Sequence, residues 1–255
     1  MVGAQVAGRV LGRRFGDTIV LLLVLLLVWQ LLYEFVGAIA LAPPLATVAN
    51  AYGLLSSADF WPNVYTTFHA LFLALIIEVV VGLLLGVMLG LNRLMGEVVE
   101  PVIVAFYSVP KIVFYPIVLM TCGIGATAVI VLAIMHGILP ILLFTMNAVR
   151  NIKPIYLKTA RIMRLGALRT MWRIALPAAI PEIFTGLRIG FAATMLGVPL
   201  SEMFGSKNGL GFMLMNAIGL SQVNLIMSLT LLLAGFAAIV NLVLLAIDRR
   251  LHRRI

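Results

Sequence analysis

The chain has 255 residues, of which 63% are hydrophobic and only 11% are charged, and its formal net charge is +9. A soluble domain of this length carries about a quarter charged residues, so this composition excludes an ordinary globular protein and predicts a multi-pass membrane protein. Unbroken apolar runs such as 19–29 predict spanning helices, not the alternating segments of a membrane β-barrel. We therefore predict an all-α polytopic membrane protein.

The placement of the basic residues argues against a nucleic-acid partner. They cluster at 9–14, in a segment at 150–177 and at 249–254, which are the two ends and one loop of the predicted membrane protein. The positive-inside rule explains such clusters. Cys122 is the single cysteine, which excludes an internal disulfide and a thiolate metal site.

The first apolar segment, 18–41, has two interpretations. Two arginines precede it, and small residues at 38–42 are typical of a signal-peptide cleavage site. With Glu34 and Phe35 included, however, it is long enough to span a bilayer, so we predict an uncleaved first helix. The next segment, 45–60, is amphipathic and predicts a short helix on the membrane surface.

Six spans within one transmembrane domain, 1–255, give the simplest topology. Threading six spans places fifteen of the 18 Lys and Arg on one side, and the exceptions are Lys111, Arg188 and Lys207. That side is predicted to be the cytoplasm, and both termini lie there. The predicted spans are 18–41, 64–91, 100–121, 126–148, 178–203 and 223–247.

Glycines in the second span and prolines in the third indicate special packing. Gly82, Gly86 and Gly90 recur every four residues, which lines one helix face and lets another helix approach closely. We favour a packing face inside the protomer over a dimer-specific face. Prolines bend helices that line a cavity or meet other helices, so the third span is a candidate gate or pathway helix. Its prolines are Pro101, Pro110 and Pro116.

Three ionisable residues, Glu78, Lys111 and Arg188, fall near the middle of predicted spans. An isolated ion at the bilayer centre costs about 2.5–3.5 kcal/mol, so each should be paired or face water. One hypothesis is that Lys111 and Arg188 attract an anion in a cavity. The other is that Glu78 pairs with one of them and braces the fold.

The segment 150–177, here called the basic loop, carries seven basic residues and no acidic one. Pro154 suits the first turn of a helix, Gly166 is a natural place for a turn, and 167–175 can form a second short helix before Pro177. A basic hairpin attracted to anionic lipid is one interpretation. A docking surface for another protein is the alternative.

The stretch 158–213 resembles the transmembrane permease subunit of ATP-binding-cassette importers, in particular the nitrate, sulfonate and taurine group. Those permeases have a cytoplasmic loop with Glu-Ala-Ala, a glycine and a closing Leu-Pro. Here Leu176-Pro177 closes the loop, Lys158 replaces the usual Glu, and Arg164 stands where the glycine would fall. The other matching pieces are Val109-Pro110-Lys111, Gly123-Ile124-Gly125, Gly186-Leu187-Arg188, Ser201-Glu202-Met203 and Gly209-Leu210-Gly211.

The resemblance implies a type I importer permease fold in the inner membrane, with the basic loop as the contact to the motor. Two copies, or this chain and a close relative, would pair with two ATPase subunits and an extracytoplasmic binding protein that delivers a small anionic or organic solute. Because related permeases with different cargoes share the Pro-Lys and Gly-Leu-Arg pieces, the bracing hypothesis is favoured. The implied loop residues are Lys158, Thr159, Ala160, Arg161, Arg164, Leu165, Gly166, Ala167 and Arg169. The candidate pathway or gate residues are Glu78, Pro110, Lys111, Arg188 and Glu202.

The sequence contains no Walker A pattern, so we expect no ATPase activity, no catalytic residues and no metal in this chain, with ATP and magnesium bound by the partner subunit. The main alternative is an ion- or proton-coupled secondary carrier or channel that uses Glu78 and Lys111. A membrane enzyme is a second alternative, although no metal cluster or Ser/His/Asp set can be assembled from the sequence.

Overall fold

A computed structural model describes residues 2–252, and throughout this range the regular structure is helical. The side chains of 2–15 and of several loop residues lie outside that description. The predicted all-α class is confirmed. The α-helices are α1 (Val2–Val36), α2 (Pro44–Leu55), α3 (Phe60–Leu91), α4 (Arg93–Ser108), α5 (Tyr115–Cys122), α6 (Ala126–Arg150), α7 (Pro154–Ile162), α8 (Ala167–Thr170), α9 (Leu176–Gly205), α10 (Leu210–Gly219) and α11 (Val223–His252).

Within residues 2–252, five stretches are long and apolar enough to cross a membrane, and there are six if the one bent pair is counted as a single span. The count therefore agrees with the predicted six. The five are Gly16–Val36, Phe60–Leu91, Ala126–Arg150, Arg173–Gly205 and Val223–Leu251.

The third predicted span is broken in the middle. α4 ends at Ser108, a 3₁₀ turn covers Lys111–Phe114, and α5 leaves at 86° to α4. Proline disfavours the helical conformation of the residue before it, and Val109 is accordingly extended, with φ −72° and ψ 129°. Pro110 thus ends one helix, and Pro116 lies in the first turn of the next, where a missing N–H costs nothing.

Contacts divide the chain into two compact units, residues 2–57 with 216–233 and residues 58–215 with 234–252. In the larger unit, α6 packs against both α3 and α9. A Cβ atom at Gly82 would lie 2.8 Å from Ile141 Cγ2, and one at Gly86 would lie 2.6 Å from Thr145 Cβ. Gly90 meets α6 in the same way, so the predicted packing face inside the protomer is confirmed.

A second glycine face lies on α9, which the sequence analysis missed. A Cβ at Gly186 would lie 2.6 Å from Phe144 Cβ, and one at Gly190 would lie 2.5 Å from Ile141 Cγ1. A Cβ at Gly197 would lie 2.9 Å from the His136 ring. α6 therefore packs closely against glycine faces from two helices.

In the smaller unit, the predicted surface helix is α2, and hydrogen bonds at its N-terminal end hold it to neighbouring segments. The indole of Trp29 on α1 donates to the carbonyl of Ala42 at 3.0 Å. The hydroxyl of Ser228 on α11 lies 3.2 Å from the carbonyl of Thr47, and both residues are fully buried. The N-terminal end of α2 is thereby fixed within this unit.

Candidate functional site

The basic loop forms a short helix, a turn and a second helix that runs directly into α9. α7 begins at Pro154, as predicted. The predicted second short helix over 167–175 is instead a four-residue α-helix, α8, followed by a π-helical segment, Met171–Ala175. Because α9 starts at Leu176 without a break, the second half of the loop, from Ala167 onward, and the long helix are one continuous element.

The turn between α7 and α8 is made by Arg164 and not by Gly166. Arg164 has a left-handed backbone, with φ 50°, and the N–H of Leu165 donates to the carbonyl of Ala160 at 3.0 Å. This six-to-one bond and the left-handed residue before it define a Schellman turn that ends α7. The expectation that Gly166 makes the turn was wrong, because this bond requires the left-handed residue at 164. Arg164 thus occupies the left-handed conformation that usually favours glycine.

The basic loop exposes both positive and apolar side chains. Lys158, Thr159, Arg164, Gly166 and Arg169 are exposed, Leu165 is half-buried, and Ala160 is 2% exposed. Ile162 and Met163 are 82% and 63% exposed. The side chains of Arg161 and Ala167, which the resemblance also implied, lie outside the described residues.

Glu78 lies fully buried at a three-helix junction formed with Gly137 on α6 and Thr194 on α9. The Thr194 hydroxyl lies 2.8 and 2.7 Å from the two carboxyl oxygens. A Cβ at residue 137 would collide with both side chains, so this junction, here called the Glu78 junction, requires glycine there. Among the described residues Glu78 forms no ion pair, so its expected pairing with Lys111 or Arg188 is wrong.

Lys111 stabilises the break in the third span. Its ammonium group donates to the carbonyls of Phe106, Tyr107 and Val109 at 3.2, 2.7 and 2.8 Å. The last carbonyls of a helix lack partners within the helix, and they carry partial negative charge. Lys111 therefore supplies its three donors to the end of α4 and makes a helix end possible where Pro110 imposes one.

Arg188 on α9 forms an ion pair with Asp248 on α11, with 3.3 Å between Nε and Oδ2. The hydroxyl of Thr185, one turn earlier on α9, donates to the other oxygen of Asp248 at 3.1 Å. The sequence analysis considered Glu78 as a partner for either Lys111 or Arg188, whereas Arg188 pairs with Asp248. Asp248 was missed because it lies beside the basic C-terminal cluster.

Glu202 is fully buried near the end of α9 opposite the basic loop, and it holds the start of α10. Its Oε2 atom accepts from the Thr67 hydroxyl and from the N–H of Gly211, both at 2.9 Å. The N–H of Leu210 donates to the Thr67 hydroxyl at 2.8 Å. Two N–H groups in the first turn of α10 are thereby satisfied by side chains, and the carboxylate is favourable at this helix terminus. These four residues are called the Glu202 cluster.

Neighbouring contacts join further elements to the same end of α9. The Tyr115 hydroxyl on α5 donates to the carbonyl of Ser201. The N–H of Gly125, before α6, donates to the carbonyl of Gly205 at 2.8 Å. The end of α9 is thus bonded to α5 and α10, to the start of α6, and to α3 through Thr67.

The two histidines in spanning helices, His69 and His136, each contact a residue of their own helix. His69 stacks on Tyr65, with ring centroids 5.7 Å apart, and Nδ1 of His136 lies 2.8 Å from the carbonyl of Leu132. In the part of the chain that the structure describes, no group of three or more His, Cys, Asp and Glu can hold a metal ion. These contacts indicate packing and capping.

Residues 78–255 match the family model described as binding-protein-dependent transport system inner membrane component, which covers the basic loop, α9 and the Glu202 cluster except for Thr67. The chain belongs to this family. It is therefore a membrane-spanning permease subunit of an ABC importer, and the predicted resemblance is confirmed. The family is a transport component of the inner membrane that works with an ATPase and a binding protein, not a secondary carrier or an enzyme.

Individual relatives agree with this assignment. The permease is 27% identical over 224 residues to the taurine transport system permease protein TauC of Escherichia coli, covering 86% of this chain and 81% of TauC. It is 32% identical over 189 residues to the riboflavin transport system permease protein RibX of Chloroflexus aurantiacus, covering 74% and 70%. Permeases named for aliphatic sulfonates, nitrate and bicarbonate match over shorter stretches.

The fold agrees with a solved importer. The MetNI methionine ABC transporter contains a chain that superposes with a TM-score of 0.63 at 20% identity, covering 74% of this chain and 94% of that chain. The predicted importer permease fold is confirmed by this likeness.

Proposed function

We propose that two copies of this permease form a path for a small anionic or organic solute of the taurine, sulfonate or nitrate kind. The names of the relatives support this class, since taurine, aliphatic sulfonates, nitrate and bicarbonate are all small and most are anions. An extracytoplasmic binding protein delivers the solute. Both termini and the basic loop lie in the cytoplasm in this proposal, and the clustering of basic residues in these segments supports that orientation.

In this proposal the basic loop of each permease copy binds one ATPase subunit, so that two permeases bind two ATPase subunits. ATP and magnesium are bound by those subunits, and this chain carries neither. The observation that carries the proposal is the exposed surface of α7 and its turn, which the bond from Leu165 to Ala160 closes while Ile162, Met163 and Arg164 stay exposed. Large apolar side chains displayed on an ordered turn are typical of a protein-binding surface.

α9 is the element that connects this contact to the membrane path. It spans Leu176–Gly205, a length of about 45 Å at 1.5 Å per residue. One end continues from the basic loop, the middle carries Thr194 of the Glu78 junction, and the other end carries Glu202. A movement of the basic loop is therefore transmitted along one helix to the Glu202 cluster, which we assign as the outer gate.

The experiment that tests this role deletes 160–167 and measures whether the ATPase subunit still co-purifies with the permease. We expect the ATPase to be lost while the permease remains a folded monodisperse protein in detergent. Lys207, which lies in the loop after α9, provides a control, because Lys207→Ala should retain the ATPase. Full co-purification with the deleted loop would refute the coupling role.

A further inference from the structure

The basic loop presents positive charge that nothing in its own segment neutralises. Lys158, Arg164 and Arg169 are exposed, and none of them forms an ion pair with a residue that the structure describes. The sequence contains no Asp or Glu between Glu100 and Glu182. Within the described chain, this charge is left available to whatever binds the loop.

Apolar side chains lie beside these cations. Ile155, Lys158 and Ile162 recur at spacings of three and four residues, which places them on one face of α7. Both isoleucines are exposed, whereas Ala160 is buried. The helix is thus held on its inner side and presents an apolar surface with a positive charge in its middle.

We propose that this surface selects its ATPase subunit by charge, fitting a groove with an apolar floor and an acidic rim. The inference rests on the proposed function and adds to it the chemistry of the partner. Burial of the isoleucines supplies affinity, while the cations favour an acidic rim and disfavour a neutral or basic one. The permease therefore discriminates against the ATPase subunits of other importers, whose permeases carry the usual Glu at the position of Lys158.

An anionic lipid surface is the competing partner for a basic segment. The geometry favours a protein. The left-handed turn at Arg164 and its bond from Leu165 to Ala160 fix the shape of the loop. A fixed shape lowers the ordering cost of binding a complementary groove, whereas attraction to a lipid surface needs no particular shape.

The test compares wild type with the double variant Lys158→Glu/Arg169→Glu, using the permease in nanodiscs of uncharged lipid. The dissociation constant for the ATPase subunit is measured at low and high salt. At low salt we expect the dissociation constant of the variant to be roughly tenfold or more above that of the wild type. The two constants should differ much less at about 1 M salt, where the screening length is about 3 Å. Lys207→Glu is the matched control, an exposed cation outside the basic loop, and should bind like wild type.

The unfolding temperature of the double variant is measured alongside. If that temperature is lower than the wild-type value, the milder double variant Lys158→Gln/Arg169→Gln is used in its place. Exchange of acidic rim residues of the ATPase for lysine should restore binding to the Glu variant. Equal affinity of wild type and variant for the ATPase at low salt would overturn the inference. It would also be overturned if the variant lost binding to phosphatidylglycerol vesicles but kept its binding to the ATPase. If the wild type bound no ATPase at any salt concentration, the proposed function itself would fail.

Discussion

Glu78 on α3 and Thr194 on α9 are joined by contacts of 2.7 and 2.8 Å directly beside Gly137 on α6. A polar pair in an apolar bundle is favourable only where its hydrogen bonds are satisfied, and the helices must approach closely to satisfy them. Gly137 makes that approach possible. One small residue thus fixes the relative positions of the three helices that pack most extensively in the larger unit.

Gly137→Ala should therefore destabilise the permease. The added Cβ would overlap both Glu78 and Thr194, and overpacking of this kind costs about 1–3 kcal/mol. The measurement is the unfolding temperature in detergent. Gly235→Ala on α11 is the control, because a Cβ there meets nothing within 4 Å and should leave stability equal or slightly higher. Equal unfolding temperatures for both variants would show that the junction is loosely packed.

Lys111→Met should weaken the broken third span. It removes the donor from three carbonyls at the end of α4. The Phe106 carbonyl keeps the N–H of Val109 at 3.3 Å, whereas the Tyr107 and Val109 carbonyls each lose a hydrogen bond from a charged group, worth about 1.5–3 kcal/mol. Because removal of a buried charge offsets part of this cost, we expect a net loss of roughly 2–4 kcal/mol. Denaturant unfolding of the purified protein measures it. Lys207→Met, at an exposed site, should change stability by less than about 0.5 kcal/mol, and a similar value for Lys111→Met would contradict the assignment.

The ion pair between Arg188 and Asp248 predicts energetic coupling between α9 and α11. Either single alanine substitution leaves a partly buried charge with a lost partner, so the double variant should cost less than the sum of the two. We expect a coupling energy of about 1 kcal/mol or more from a double-mutant cycle. The exposed pair Arg93 and Glu97 is the comparison, and its coupling energy should be clearly smaller. Additive effects at Arg188 and Asp248 would mean that the pair does not hold the helices together.

Arg164→Gly should stabilise the turn of the basic loop. A left-handed conformation costs a side-chain-bearing residue about 1–2 kcal/mol, and part of the gain is offset by the greater freedom of glycine when unfolded. The expected net gain is roughly 0.5–1 kcal/mol. Gly166→Ala, whose Cβ would meet nothing within 4 Å, should not destabilise the protein. The unfolding temperatures of both variants measure this. A lower value for Gly166→Ala together with an unchanged value for Arg164→Gly would show that Gly166, and not Arg164, makes the turn.

Hydropathy and residue spacing predicted most of the architecture. The long apolar runs gave the spans, the four-residue glycine spacing gave the face of α3, and Pro110 indicated a bend in the third span. These features are local, because they depend on neighbours along one helix. The left-handed turn was predicted at the wrong residue because residue type alone favours Gly166. The Schellman hydrogen bond from Leu165 to Ala160 places the left-handed residue at Arg164.

Contacts between residues that are distant in sequence could not be predicted from hydropathy and spacing. Arg188 and Asp248 are 60 residues apart, and the contacts of Glu202 reach back to Thr67 on α3. No spacing rule pairs such residues, because their proximity follows from how α3, α9 and α11 pack. The roles of Glu78, Lys111, Arg188 and Glu202 within the bundle therefore emerged only from their contacts in the structure.

The most direct test of the account is solute uptake by proteoliposomes that contain the permease and its ATPase, with the binding protein added outside. Uptake of a labelled sulfonate, taurine or nitrate should require ATP, the ATPase and the binding protein together, and it should vanish when 160–167 is deleted. Uptake by the permease alone, driven by an ion or proton gradient without ATP, would contradict the account.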